Sequence, residues 1–198
     1  MVRNARLDHL GTNRLGRALY APLFDSPAGP PNSARFVFLD PRSPDSYGDW
    51  ERTADDLVAI LRTEAGRNPY DKGLTALIGE LSTRSEEPRT CWGAHYVRLH
   101  RTGSKTLHHP VVGDLELAYE VMELPADPGL VLNVYTVEPA SPSADALNLL
   151  ASWAAIEVPA GSAPAVQADL SAIPGDTGVR RPRPTGSRRT GTATSALS

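Results

Sequence analysis

The sequence predicts an α+β domain, with helices first, then an antiparallel sheet, then a closing helix. Two observations carry this. Apolar residues recur at spacings of three and four up to about residue 95, and the period changes to two between residues 106 and 138. A third bounds the domain: the patterned part ends near Ala155, and residues 156–198 are rich in Ala, Pro, Gly, Ser and Thr with no aromatic residue. The reading is therefore a folded unit over 1–155 and a disordered low-complexity tail over 156–198, because such a tail cannot offset its chain entropy by burial.

Taken in order, Leu7 to Asn13 reads as a short strand, and Asn13 to Leu23 as a helix with Leu15, Ala18 and Leu19 on one face. Pro22 and Pro27-Ala28-Gly29-Pro30-Pro31 break it. Asn32 can cap a short helix through Arg35, Phe36 and Leu39 that ends at Asp40-Pro41. Asp49 can cap the clearest helix, Trp50 to Ala65, in which Trp50, Ala54, Leu57, Val58 and Leu61 share a face and Gly66 is the stop. Asp71 starts a helix with Leu74, Leu77, Ile78 and Leu81, and Ser85 starts another through Trp92 and His95 with Pro88 in its first turn.

In the second half, Thr106 to Val112 and Leu115 to Leu124 read as strands joined at Gly113-Asp114. Leu115, Leu117, Tyr119 and Val121 alternate with Glu116, Ala118 and Glu120, so one face is buried. Leu130 to Glu138 is a third strand, with Leu132 and Val134 opposite in phase to Asn133 and Tyr135. Pro142 and Trp153 bracket the last helix.

The formal net charge is −3; the tail holds five arginines against three acids, which leaves −5 for the body. An acidic body argues against specific DNA binding by this chain alone. No apolar run is long enough to span a bilayer and no signal peptide is evident, so no membrane partner is expected and the cytoplasm is the default location. The single cysteine, Cys91, excludes an intrachain disulfide.

No G-x-S-x-G, P-loop, G-x-G-x-x-G or H-E-x-x-H is present. Cys91 and His95 could share a helix face, yet a buried thiol beside a hydrogen-bonded histidine explains the pair without catalysis. His108 and His109 would point to opposite sides of a strand, so the histidines do not make a ligand set. No catalytic residue, metal site or cofactor is therefore assigned. Arg35 and Arg98 lie among apolar residues; each is either a surface cation whose stem covers its neighbours or a cation awaiting a ligand carboxylate.

A set of short segments, in order, carries a family resemblance. They are Val2-Arg3-Asn4-Ala5-Arg6-Leu7-Asp8, Asn13-Arg14-Leu15-Gly16-Arg17-Ala18-Leu19-Tyr20, Ala34-Arg35-Phe36 with Leu39-Asp40-Pro41, and Asp49-Trp50. Ala65-Gly66-Arg67, Glu80-Leu81-Ser82, Trp92 with His95, His109-Pro110, Tyr135-Thr136-Val137-Glu138-Pro139 and Leu149-Leu150-Ala151 follow. Over residues 2–154 the chain resembles the ligand-binding domain of MmyB-like regulators, an actinobacterial branch of the XRE-type helix-turn-helix proteins. His9 stands where that family usually has an apolar residue, and Pro88 where it usually has an aromatic one.

The resemblance implies a PAS-like fold around an apolar pocket for a small hydrophobic, fatty-acid-like ligand. It also implies a helix-turn-helix ahead of the sensor, which this sequence does not show: a late start codon, a truncation and a free-standing sensor all fit. The expected pocket lies between the helices around Trp50–Leu61 and Ser85–His95 and the sheet of 106–138. Its expected walls are Phe36, Leu57, Leu61, Trp92, Leu117, Tyr119, Leu132 and Val134, with Arg35, His95 or His109 holding the ligand's polar end and Arg35 preferred. A ligand-free dimerisation scaffold is the competing reading, and a homodimer is compatible with both.

Overall fold

The computed structural model describes residues 1–88 and 101–156, and residues 89–100 and 157–198 lie outside it. Five strands form one sheet: β1 (Val2–Asn4), β2 (His9–Gly11), β3 (Thr102–His109), β4 (Gly113–Glu123) and β5 (Leu130–Thr136). Their order across the sheet is β2-β1-β5-β4-β3, and every neighbouring pair is antiparallel. Between β2 and β3 the described chain forms α1 (Arg14–Leu19), α2 (Ala21–Phe24), α3 (Ser33–Leu39), α4 (Ser43–Ser46), α5 (Trp50–Arg67) and α6 (Lys72–Arg84). Helix α7 (Pro142–Ile156) closes the described chain and packs on α1 and β4. This is the α+β arrangement that the change of period indicates.

The predicted strand over 7–13 is instead a tight reversal between two shorter strands. Asn4 explains it. Its Oδ1 accepts from the N–H groups of Arg6 and Asp8, a side chain imitating a turn. Leu7 then sits at the apex with φ 67°, a conformation unfavourable for leucine, and its side chain is 1% exposed in the core.

Caps fix the helices. The side chains of Asn13, Asn32, Asp49 and Asp71 each accept from an N–H in the first turn of α1, α3, α5 and α6. The predicted helix over 13–23 is split at Tyr20, because Pro22 lacks an N–H and its ring would meet the carbonyl of Ala18. Gly66 does not stop α5, which runs on to Arg67. Asn68 precedes Pro69 and is pushed out of helical geometry, whereas a glycine inside a helix costs only about 1 kcal/mol.

The β3–β4 turn also differs from the expectation. Register pairs His109 with Gly113, so Pro110, Val111 and Val112 form the loop and Gly113 opens β4. Gly113 has φ +75°, the left-handed residue that closes a three-residue hairpin loop.

The core lies between the helices and one face of the sheet. Leu57, Val58, Leu61, Leu74, Leu77 and Leu81 meet Phe36 and Val37 of α3, and Leu107, Leu115 and Leu117 from the sheet. Trp50 joins it through its indole N–H, which donates to Ser43 Oγ at 2.7 Å, while its ring lies edge-on to Phe38 at 6.4 Å. No helix among the described residues is long and apolar enough to cross a membrane.

Candidate functional site

The packing is not uniform. Beyond the filled core, α5 and the sheet stand apart around a cavity of about 480 Å³ lined by residues of all five strands. One wall is the first half of α5, with Arg52, Thr53, Asp56, Leu57 and Ile60. The opposite wall is the sheet: Arg3, His9, Lys105, Tyr119, Val121, Asn133 and Tyr135. Tyr20 and the Tyr47-Gly48 link close the side. That link is held to β3 by a Gly48 N–H to Thr106 carbonyl bond of 3.0 Å. A Cβ on Gly48 would come within 2.8 Å of Thr106 Cβ, so only glycine permits the approach.

Register decides which strand residues face the cavity. Tyr119 pairs with Tyr135 and Val121 with Asn133, so these four lie on the helix side with Leu115 and Leu117. In β3 the same face carries Lys105, paired with Leu117. Leu132 and Val134 alternate with Asn133 and Tyr135 and therefore project to the other face.

The sheet wall holds two cations, and Arg52 stands on the α5 wall. Arg3 is 7% exposed, and its guanidinium makes one long hydrogen bond, to the Asn4 carbonyl at 3.4 Å. Among the described residues no carboxylate lies within salt-bridge distance of it. Burial lowers its pKa, opposed by Tyr135 and Glu64, but a guanidinium stays charged at any cellular pH. Lys105 is half-buried in a cage of tyrosines, with its ammonium 4.7 Å from the ring centre of Tyr135, 5.4 Å from Tyr20 and 5.5 Å from Tyr119. It donates to Tyr135 Oη at 3.3 Å. Each ring contributes about 0.5–2 kcal/mol to holding that charge.

Unpaired neutral groups surround the cations. His9 Nδ1, Tyr20 Oη and Asn133 Oδ1 are buried without a hydrogen-bond partner among the described residues. His9 is oriented from its other side, where Nε2 lies 2.7 Å from Ser33 Oγ. Burial, then the charges of Arg3, the N-terminus and Lys105, lower its pKa to about 4, so the ring is neutral at pH 7. Burial also raises the Tyr20 hydroxyl well above its ordinary value, with Tyr135 and Tyr47 adding to it. Each of these groups can donate to or accept from a ligand without ionising itself.

The residues singled out from the sequence do not fall together. Leu57 and Tyr119 line the cavity. Leu61 and Leu117 are filled core, 1% and 0% exposed. Phe36 and His109 border a crevice of only about 20 Å³, where His109 Nδ1 accepts from the Val111 and Val112 N–H groups and Nε2 reaches the Ala18 carbonyl at 3.0 Å. Leu132 and Val134 occupy the outer face, and Trp92 and His95 lie outside the described residues. Arg35 is engaged elsewhere: its Nε donates to Glu80 at 3.0 Å and its Nη1 lies 3.9 Å from Asp8. Arg3, His9, Tyr20, Lys105, Asn133 and Tyr135 were missed because a search for apolar walls passes over them. The signal for Lys105 was present, since it falls in phase with Leu107 on the inward side of β3.

A hollow between a helix layer and a sheet, lined by a few convergent polar groups, is built to bind rather than to fill. The model of the MmyB-like transcription regulator ligand binding domain matches residues 1–150. The chain belongs to this family. Among curated proteins none matches it.

Proposed function

We propose that this MmyB-like domain is the sensor of a transcription regulator, and that a small, largely hydrophobic molecule of fatty-acid type occupies the cavity between α5 and the sheet. The observation that carries this is the cavity of about 480 Å³ in a chain of a ligand-binding family. That volume falls within the roughly 300–1,000 Å³ of small-molecule sites. The strand order, with the helices inserted between β2 and β3, supports the PAS-like reading. Ligand entry would shift α5 and the Tyr47-Gly48 link relative to the sheet, and a DNA-binding partner domain would respond. This chain alone would not bind DNA specifically, and it would act in the cytoplasm.

The test is direct. Mass spectrometry of the purified protein should find a bound small acid or lipid, and added acyl acids should raise its melting temperature, since a ligand at about 100 times its Kd adds about 2.7 kcal/mol. Protein free of any such molecule, with a melting temperature that no acyl ligand raises, would leave the dimerisation-scaffold reading in its place.

A further inference from the structure

The cavity wall has a composition that an alkyl-chain site does not need. A bare hydrocarbon gains from apolar walls and loses wherever it covers an unpaired polar group, at a cost of about 1–3 kcal/mol for each. Here a buried arginine and a tyrosine-caged ammonium share the wall with three buried polar atoms that lack a partner among the described residues.

We propose that Arg3 and Lys105 form an anion seat, and that the ligand is an organic carboxylate carrying a further hydroxyl or amide group rather than a bare alkyl chain. This rests on the reading of the cavity as the ligand site. Arg3 stands in no ion pair among the described residues, and Glu64, the acid whose charge reaches it, is itself paired with Arg67, so the buried cation is poorly compensated in the free domain and an anion brought by the ligand is the natural remedy. Arg3 presents a planar fork suited to two carboxylate oxygens, and Lys105 is a point charge that reaches from β3 to the Tyr135 ring at 4.7 Å, the same tyrosine that acts electrostatically on Arg3. The tyrosine rings hold the ammonium in place without neutralising it, so it remains available. Tyr20 Oη can donate to the same carboxylate. Asn133 Oδ1 needs a donor, which a hydroxyl or amide N–H on the ligand would supply; His9 Nδ1, whose tautomer follows its bond to Ser33, completes that polar side. Leu57, Ile60 and Val121 remain for the apolar body.

Asp49 and Glu116, on the same cavity, do not fill this role. Asp49 is committed to the first turn of α5, where it accepts from the Arg52 N–H at 2.9 Å. Among the described residues neither Asp49 nor Glu116 stands in an ion pair with Arg3 or Lys105.

The experiment uses two dyes of similar shape. 8-Anilinonaphthalene-1-sulfonate is an anion, N-phenyl-1-naphthylamine is its neutral counterpart, and both brighten in an apolar pocket. The full chain should bind the anion more tightly by about tenfold or more. Lys105→Met and Lys105→Gln should each bring the two affinities together, and Lys105→Arg should keep them apart. Arg35→Met, outside the cavity, should leave the preference unchanged. Decanoate should displace the anionic dye, and methyl decanoate should not. Arg3→Met should abolish the preference while leaving the ligand-free melting temperature equal or higher, because it removes an unpaired buried charge; a structural arginine would lower it. Equal binding of both dyes by the unaltered chain would overturn the anion seat and leave the cavity as a ligand site. Binding of neither would overturn both.

Discussion

One face of this sheet has two ends, and they are built differently. At the β3–β4 end, Leu107, Leu115 and Leu117 are 5%, 0% and 0% exposed and packed against the helices. Further along the same face, away from that hairpin, Lys105 of β3, Tyr119 of β4, Asn133 and Tyr135 of β5 and Arg3 of β1 stand around a hollow. The strand alternation is continuous across both. What changes is the chemistry on the inward positions: leucines that gain about 1.5–3 kcal/mol each by burial give way to polar groups that gain nothing unless something pairs with them. The packed end contributes the larger share of apolar burial, and the groups around the hollow are left without that gain.

The sharpest way to break this comparison is at the packed end. Leu115→Ala or Leu117→Ala should cost about 2–5 kcal/mol, as large-to-small changes in filled cores do, with the preference for an anionic ligand retained. Urea unfolding reads the first effect and dye titration the second. A cost below about 1 kcal/mol would mean that this end is not filled either.

Acid reads the hollow end. His9 has a folded-state pKa of about 4 against 6.5 when unfolded, so below pH 6.5 the unfolded chain takes a proton that the folded chain refuses. This contribution is fully present above pH 6.5 and is lost as pH falls toward 4, up to about 3 kcal/mol. His9→Gln should flatten the stability profile across that window. A profile unchanged by the substitution would show that His9 is not the group responsible.

A smaller effect lies outside both ends. Asp40 joins α3 to the following turn, where its carboxylate takes Arg42 Nη2 at 2.7 Å and Ser26 Oγ at 2.6 Å. The Arg42 hydrogen bonds hold its pKa down at about 2, so its contribution is intact above about pH 4 and lost as pH falls through 2. Because Arg42 is half exposed, Asp40→Asn should cost about 1–2 kcal/mol at pH 7, readable as a lower urea midpoint. The smallest effect concerns the tail. We propose that residues 157–198, rich in Pro, Gly, Ser and Thr, add little buried surface, so that their removal shifts the melting temperature by less than about 2 °C. A clear drop would show that the tail packs on the domain.

The elements were legible where a local signal is strong. Asn32, Asp49 and Asp71 announce their helices, and the shift to period two announces the sheet. Boundaries failed where one local rule overrode another: Pro69 rather than Gly66 ended α5, and Asn4 folded β1 back on β2. The site was less legible, for a physical reason. Which face of β5 looks inward follows from its register with β4, and hydrophobicity points the wrong way, since Leu132 and Val134 are the apolar pair and Asn133 and Tyr135 the inward one. Arg35 drew attention as a cation among apolar residues, but pairing with Glu80 satisfies it, a contact 45 residues away in sequence. Arg3, in a three-residue strand, gave no periodic signal at all.

The most direct test of the hollow end is to fill it. Val121 lies on the cavity wall, half-buried, and Val121→Trp would place an indole in the space assigned to the ligand. This variant should keep a melting temperature within about 3 °C of the parent in the absence of ligand, and its binding of anionic dye and of decanoate should fall by about a hundredfold or more. Binding that persists at full strength in a folded Val121→Trp protein would contradict it.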